Sequence, residues 1–285
     1  MTEAKVFACI DGSRSMMAVC DYAAWAATRL SAPLSLLHVL DHGRMMSEAD
    51  MSGNIGLGSR EHLLRELADL DEKRARLARE QSDLLLQTAI KRVTAAGVPP
   101  AERLQRHGHL PQAVEELAPE IRLLILGRQG LDSDNQRLRV GSQLETVIRT
   151  VSRPILVVPA PFHQPASVLL AFDAGPSTQK CVELLANSPL LRGLPVHLLM
   201  VGVDAPKERA ALDAARKRLE QAGLKVIAEI QTGEVETTLL GYAEENDIGL
   251  LVMGAYGHSK IRQFFVGSTT TNMLARSTRP LLLLR

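Results

Sequence analysis

The sequence predicts an α/β protein built from two tandem, doubly wound parallel sheets. Three observations carry this. Short apolar runs alternate with longer amphipathic stretches along the whole chain, the pattern of parallel strands joined by helical crossovers. A glycine-punctuated segment occurs twice, as Gly127, Gly130 and Gly141-Ser142 and again as Gly254, Gly257 and Gly267-Ser268. Each copy leads to a matched ending, Ser152-Arg153-Pro154-Ile155-Leu156-Val157-Val158 and Thr278-Arg279-Pro280-Leu281-Leu282-Leu283-Leu284. One unit is thus written twice. The Pro-rich stretch from Pro159 to Pro165 reads as the linker, which divides the chain into domains 1–160 and 161–285.

The first unit opens with an apolar strand, Lys5 to Ile10, that ends at Asp11-Gly12-Ser13. A helix follows from Met16 to Arg29. Leu34 to Leu40 is nearly continuous in apolar character, as expected of a strand buried on both faces. Asp41 to Ser59, rich in Gly and Met, reads as loop, with Met45, Met46 and Met51 packing on the helix after it. A long charged helix runs from Arg60 to Ala96 and stops at Gly97-Val98-Pro99-Pro100. Its run from Asp69 to Arg76 reads as a solvated face with i,i+4 pairs. A third strand occupies Ala101 to Arg106, a helix Pro111 to Ala118, and a fourth strand Leu123 to Leu126. The glycine segment, a helix with Leu144, Val147, Ile148 and Val151 on one face, and the matched ending complete the unit.

The second unit repeats this order. Val168 to Phe172 ends at Asp173-Ala174-Gly175, and Pro176 suits the first turn of the next helix. Then come strand Pro195–Val203, helix Ala205–Ala222, strand Leu224–Gln231, helix Glu236–Glu245, strand Gly249–Met253 and a helix from Ser268 to Ala275. The matched endings are apolar and need cover, so the two domains are expected to pack through them as an internal pseudo-dimer.

Composition narrows the function classes. Net charge is +1 over 285 residues, which gives no broad electrostatic case for nucleic acid or an anionic membrane. Aromatics are 3%, too few for base-stacking platforms. Cys9, Cys20 and Cys181 form no CxxC pair, so no zinc or redox motif is visible. No signal-peptide pattern and no apolar run near ~20 residues occur. The expected location is the cytoplasm, without a membrane or nucleic-acid partner.

The glycine segments carry the chemistry. Glycine lets backbone approach a ligand closely, and free N–H groups at a helix start favour an anion. Open α/β sheets bind ligands outside the carboxyl ends of their strands, where the strand order reverses. That rule brings Asp11 to Gly127 and Gly130, and Asp173 to Gly254 and Gly257. Asp11 and Asp173 also suit helix caps or Asx-turns, but their place after the first strand favours ligand contact. Ser13 and Ser177 read as caps, and His109 and His258 as surface loop residues.

With these residues in hand, the chain resembles a tandem universal stress protein along nearly all its length. In that family the pattern Gly-x2-Gly-x9-Gly-(Ser/Thr) marks members that bind ATP. Gly254, Gly257, Gly267 and Ser268 meet it in full, whereas the first copy has ten residues between Gly130 and Gly141. The first strand often ends Asp-Gly-Ser, seen at 11–13 and altered to Asp173-Ala174-Gly175. The second often ends His-Val, seen as His38-Val39 and altered to Met200-Val201. The resemblance implies a Rossmann-like fold of the adenine nucleotide alpha hydrolase type. It also implies that ATP, alone or with Mg2+, sits with Asp173 and Val201 on its adenine and ribose side. Gly254, Gly257, Gly267, Ser268 and Thr269 would surround the phosphates. Asp11, Val39, Gly127, Gly130, Gly141 and Ser142 form the weaker second site.

The two loops differ in charge. Lys260 and Arg262 give the second loop +2, while Arg137 and Arg139 are cancelled by Asp132 and Asp134 in the first. A triphosphate therefore favours the second domain. No Walker motif and no water-activating carboxylate set is visible, so the expectation is a stress-response or regulatory protein with at most slow ATP hydrolysis. The alternatives are a scaffold without nucleotide and an ATP pyrophosphatase, whose Ser-Gly-Gly-x-Asp-Ser is matched at neither strand end. A protein partner is expected but unidentified, and a further homo-dimer is open on sequence alone.

Overall fold

A computed structural model describes residues 4–40, 57–130, 142–255 and 268–285. The segment 41–56, with its three methionines, lies outside the described residues. The first five strands are β1 (Lys5–Cys9), β2 (Leu34–Leu40), β3 (Glu102–His107), β4 (Ile121–Gly127) and β5 (Ile155–Val158). Between them run α1 (Met16–Leu30), α2 (Leu57–Ala95), α3 (Leu110–Leu117) and α4 (Ser142–Thr150). The same order returns as β6 (Val168–Ala171), α5 (Pro176–Asn187), β7 (Val196–Val201), α6 (Pro206–Gln221), β8 (Val226–Gln231), α7 (Val235–Glu245), β9 (Leu250–Gly254), α8 (Ser268–Arg276) and β10 (Leu281–Leu284).

All ten strands form one sheet in the order β3-β2-β1-β4-β5-β10-β9-β6-β7-β8. Every pairing is parallel except that of β5 with β10, where Val157, Leu156 and Ile155 face Leu281, Leu282 and Leu283. The expected joining of the matched endings is therefore observed. Its cause is in the residues, since all four positions of each strand are buried. Alternate side chains feed two cores. Leu156, Val158, Leu282 and Leu284 pack on the face covered by α1, α2, α5 and α6. Ile155, Val157, Leu281 and Leu283 pack on the face covered by α3, α4, α7 and α8. Polar contacts add to this seam. The Arg29 Nε donates to the Leu190 carbonyl at 3.0 Å, and Arg128 and Arg285 donate to the carbonyls of Ser277 and Arg149. Tyr22 meets Phe162 edge to face with ring centres 4.6 Å apart, and its hydroxyl donates to the His163 carbonyl.

Two short 3-10 turns, Ala118–Glu120 and Pro189–Leu191, escape the sequence pattern because each is a single turn, with Pro among its first two residues. The helix α2 starts at Leu57 rather than Arg60. Among its described residues the buried side chains, Ser82, Leu86, Ala89 and Val93, all lie in its later half. The strand β4 starts at Ile121 rather than Leu123. Its Arg122 breaks the apolar run but is an exposed position whose guanidinium donates to the Leu30 carbonyl at 3.2 Å.

Candidate functional site

The strand order reverses beside β1 and again beside β6. On one side of β1 lies β2, reached first, and on the other lies β4, reached last; β6 is flanked in the same way by β7 and β9. Crevices at such points open at the carboxyl ends of the strands. The structure brings Asp11, Val39 and Gly127 to one crevice, and Asp173, Val201 and Gly254 to the other.

In the first crevice Asp11 is half-buried and its Oδ1 accepts the Ser13 backbone N–H at 3.0 Å. This is an Asx-turn, and Gly12 follows with φ +69°. The hydroxyls of Ser13 and Ser15 lie 2.9 Å apart, and Ser15 donates to the Gln129 carbonyl at 3.0 Å. A Cβ at Gly127 would meet the Ser15 Oγ at 2.2 Å, and one at Gly130 would lie 3.2 Å from the Asp11 Oδ2. The ends of β1 and β4 therefore touch through glycine on one side and polar atoms on the other.

The second crevice is built alike. The Asp173 Oδ1 accepts from the Gly175 N–H at 2.8 Å and from the Thr178 hydroxyl at 2.7 Å. Asp173 itself is exposed. A Cβ at Gly254 would lie 2.6 Å from the Cβ of Ser177. Thr270, buried in the first turn of α8, donates to the Ala255 carbonyl at 3.4 Å. That bond ties the N-terminus of α8 to the end of β9, with Ser268 exposed and Thr269 half-buried beside it.

Ala174 holds φ +59° where the first unit has Gly12 at +69°. A residue with Cβ in the left-handed region costs about 1–2 kcal/mol, and exposed Ala174 gains no packing in return. Ala174→Gly is expected to raise stability by about 1 kcal/mol, net of glycine's greater freedom when unfolded. A urea midpoint unchanged or lower in the variant would count against this strain.

Some expected site residues cannot be placed. Gly141, Gly257 and Gly267 lie outside the described residues, as do His258, Lys260 and Arg262 and the charged residues between Gly130 and Gly141. Ser142 begins α4, although its side chain is not described. Other expectations need correcting. Ser13 and Ser177 are not caps: the N-cap positions are Ser15 for α1 and Gly175 for α5. At α5 the Asp173 carboxylate takes over the hydrogen bonding, and it is Ser15 and Ser177 that sit against the glycine-ended strands, with Ser13 bonded to Ser15. Two further features escaped the sequence reading. Ser15 joins the β1 and β4 ends, which only strand order can reveal. Glu145 stands in the first turn of α4, while α8 has no acid in its first turn. A count of acids after each Gly-Ser would have found this.

The thiols are poor nucleophiles. Burial pushes the Cys20 and Cys181 thiols up to about 12, and it raises Cys9 as well. Among the described residues no group of three or more His, Cys, Asp and Glu could hold a metal ion. No helix among them is long and apolar enough to cross a membrane.

Comparison with known proteins agrees with this architecture. The sequence pattern of the universal stress protein family matches residues 4–159 and 202–285. A universal stress protein of Synechocystis sp., Slr1230, is 36% identical over 284 residues, spanning 98% of this chain and 99% of its own. A solved universal stress protein from Archaeoglobus fulgidus has a TM-score of 0.75 over 100% of this chain and 99% of that one, at 18% identity. The functionally unknown protein PA1789 from Pseudomonas aeruginosa has a TM-score of 0.61 over 99% and 92% of the two chains, at 14% identity. The two structures share the fold, and the match to the family in both halves carries the assignment. The chain belongs to the universal stress protein family, with the family's unit present twice in tandem.

Proposed function

We propose that this protein binds ATP, held mainly in its second domain (161–285), and acts in the cytoplasm as a stress-response sensor rather than as an efficient catalyst. The observation that carries the choice of domain is the contrast between two helix starts. The first turn of α8 presents N–H groups without an acid, whereas that of α4 carries Glu145. Helix N-termini attract anions, and a carboxylate in the first turn competes for the same partial charge. Asp173 and Val201 at the neighbouring strand ends would take the adenine and ribose side. Gly254, Gly257, Gly267, Ser268 and Thr269 would take the phosphates. No carboxylate cage for Mg2+ exists among the described residues, so the ion would enter on the phosphate oxygens. The corresponding residues of the first domain (1–160) would bind nucleotide more weakly. Occupancy would be read by a protein partner.

One observation favours a second reading, a scaffold without nucleotide. Gly254 is already required by its approach to Ser177, so that glycine needs no phosphate to explain it. One experiment separates the readings. Nucleotide released from the purified, denatured protein is identified by mass spectrometry, and ATP affinity is then measured by calorimetry for wild type, Gly267→Val and Gly141→Val. Adenine nucleotide and at least a tenfold loss of affinity in Gly267→Val alone are expected. Loss confined to Gly141→Val would move the site to the first domain, and absence of any binding in the wild type would favour the scaffold.

A further inference from the structure

A cavity of about 230 Å³ lies between the two units, on the face of the sheet that α1 and α5 cover. Leu30, Leu123 and Pro154 of the first unit line it together with Leu184, Leu190 and Leu282 of the second. Leu123, Leu190 and Leu282 are buried, so its inner wall is apolar. Its polar side chains are Arg122, Asn187 and Ser188, and the first two are exposed at the mouth. It shares no residue with either crevice. Junctions between units of a fold are where ligand pockets are often found, and apolar walls with a few placed polar groups are their usual make-up.

The placing of Arg122 is unusual. Lys5 pairs with Ile121 and Val6 with Leu123, so the register slips by one residue at Arg122, as in a β-bulge. A bulge re-aims a side chain, and bulges are over-represented next to active sites. The second unit has no such slip, since Val168 pairs with Leu250 and Leu169 with Leu251. Leu124 faces Ile155 of β5, and Leu251 faces Leu281 of β10, so Gly249 is the counterpart of Arg122. A Cβ at Gly249 would lie 2.8 Å from backbone atoms of Pro165 and Ala166. The chain closes on the sheet at that position, whereas at the cavity the same position is open and carries a cation.

We propose that this cavity binds a small monocarboxylate with an apolar body, its carboxylate on Arg122 and Ser188 and its body among the leucines. The Arg122 Nη1 donates to the Leu30 carbonyl at 3.2 Å, which holds the guanidinium at the mouth. Among the described residues no acid pairs with Arg122, so its Nε and Nη2 edge is left to donate. Such an edge matches a carboxylate through two parallel hydrogen bonds. Ser188 accepts the Leu190 N–H at 3.3 Å and keeps its own hydroxyl hydrogen to give. Asn187 is already engaged by Glu183 and Arg218. Among the described residues no acid lines the cavity, so an ammonium ligand would meet only the like charge of Arg122. Size narrows the class further. An apolar cavity of about 150 Å³ holds benzene, so by proportion this one holds roughly ten non-hydrogen atoms. Octanoate is of that size, and a nucleotide is far larger.

Calorimetry of the full chain with octanoate, octanol and octylammonium tests this. Saturable binding of octanoate is expected, with octanol at least tenfold weaker and octylammonium weaker still. Arg122→Leu, at an exposed position that tolerates the change, should weaken octanoate at least tenfold and leave octanol as it was. Leu184→Trp should fill the cavity and abolish binding of both, with far-ultraviolet dichroism unchanged. The two crevices lie elsewhere, so neither substitution should alter ATP affinity, whatever its value in the wild type. Three results would each overturn the proposal. They are a wild type that does not bind octanoate, one that binds octanol as tightly, and an octanoate affinity indifferent to Arg122→Leu or to Leu184→Trp.

Discussion

Leu156→Asp is expected to leave little or no folded protein at room temperature. Leu156 is fully buried in β5, pairs with Ile125 of β4 on one side and faces Leu282 of β10 on the other. An aspartate there would have to be buried charged or protonated, and removal of the leucine side chain adds a cavity. Leu156→Ala, which creates the cavity alone, should cost about 2–5 kcal/mol. The aspartate adds the cost of an unpaired buried charge, so its effect should exceed the alanine's by several kcal/mol. Urea unfolding followed in two ways makes this informative. Trp25, the chain's single tryptophan, reports on α1, while far-ultraviolet dichroism reports on every helix. Because the sheet is continuous across the seam, the wild-type transitions should coincide. For Leu156→Ala the two should still coincide at a lower midpoint. A Leu156→Asp protein as stable as the alanine variant would show that the seam admits water.

The glycines at the strand ends give the second large effect, and they separate packing from ligand binding. Gly254→Ala should cost about 1–3 kcal/mol, the usual range for an overpacked site, because its new Cβ would lie 2.6 Å from the Cβ of Ser177. The next atoms of Ser177 are at 3.5 and 3.6 Å, an ordinary contact. Ser177→Gly should therefore rescue Gly254→Ala, and the double variant should be more stable than the sum of the two single losses. Chemical denaturation of the four proteins measures the coupling. Additive losses would mean that something other than Ser177 fixes glycine at position 254. ATP affinity of the rescued double variant then tells whether position 254 needs glycine for the ligand as well as for the fold.

The elements most legible in the sequence are those buried on both faces. The apolar run Leu34–Leu40 coincides with β2, and β5 and β10 are the apolar parts of the matched endings, since burial on both sides leaves continuous apolar runs. The outer strands β3 and β8 were displaced by one or two residues. They form the sheet edges, where Glu102, Arg103 and Arg106 blunt the apolar signal. The candidate site was legible only in part. Its glycines and aspartates stand where strands end, and strand ends can be read locally. The roles of Ser15 and Ser177 cannot, because they depend on β4 and β9 returning beside β1 and β6 from more than 70 residues away. The left-handed Ala174 was hidden for another reason. Alanine rarely adopts that conformation, so nothing in its identity announces it.

The antiparallel seam also fixes orientation. Strands β1 and β4 run parallel to β5, strands β6 and β9 run parallel to β10, and β5 opposes β10. The two crevices therefore look out from opposite ends of the molecule. A single ligand cannot span them, and a bulky partner seated at one leaves the other open. Each crevice thus opens at its own end of the sheet, and the strands that meet in the middle are the structure the two share.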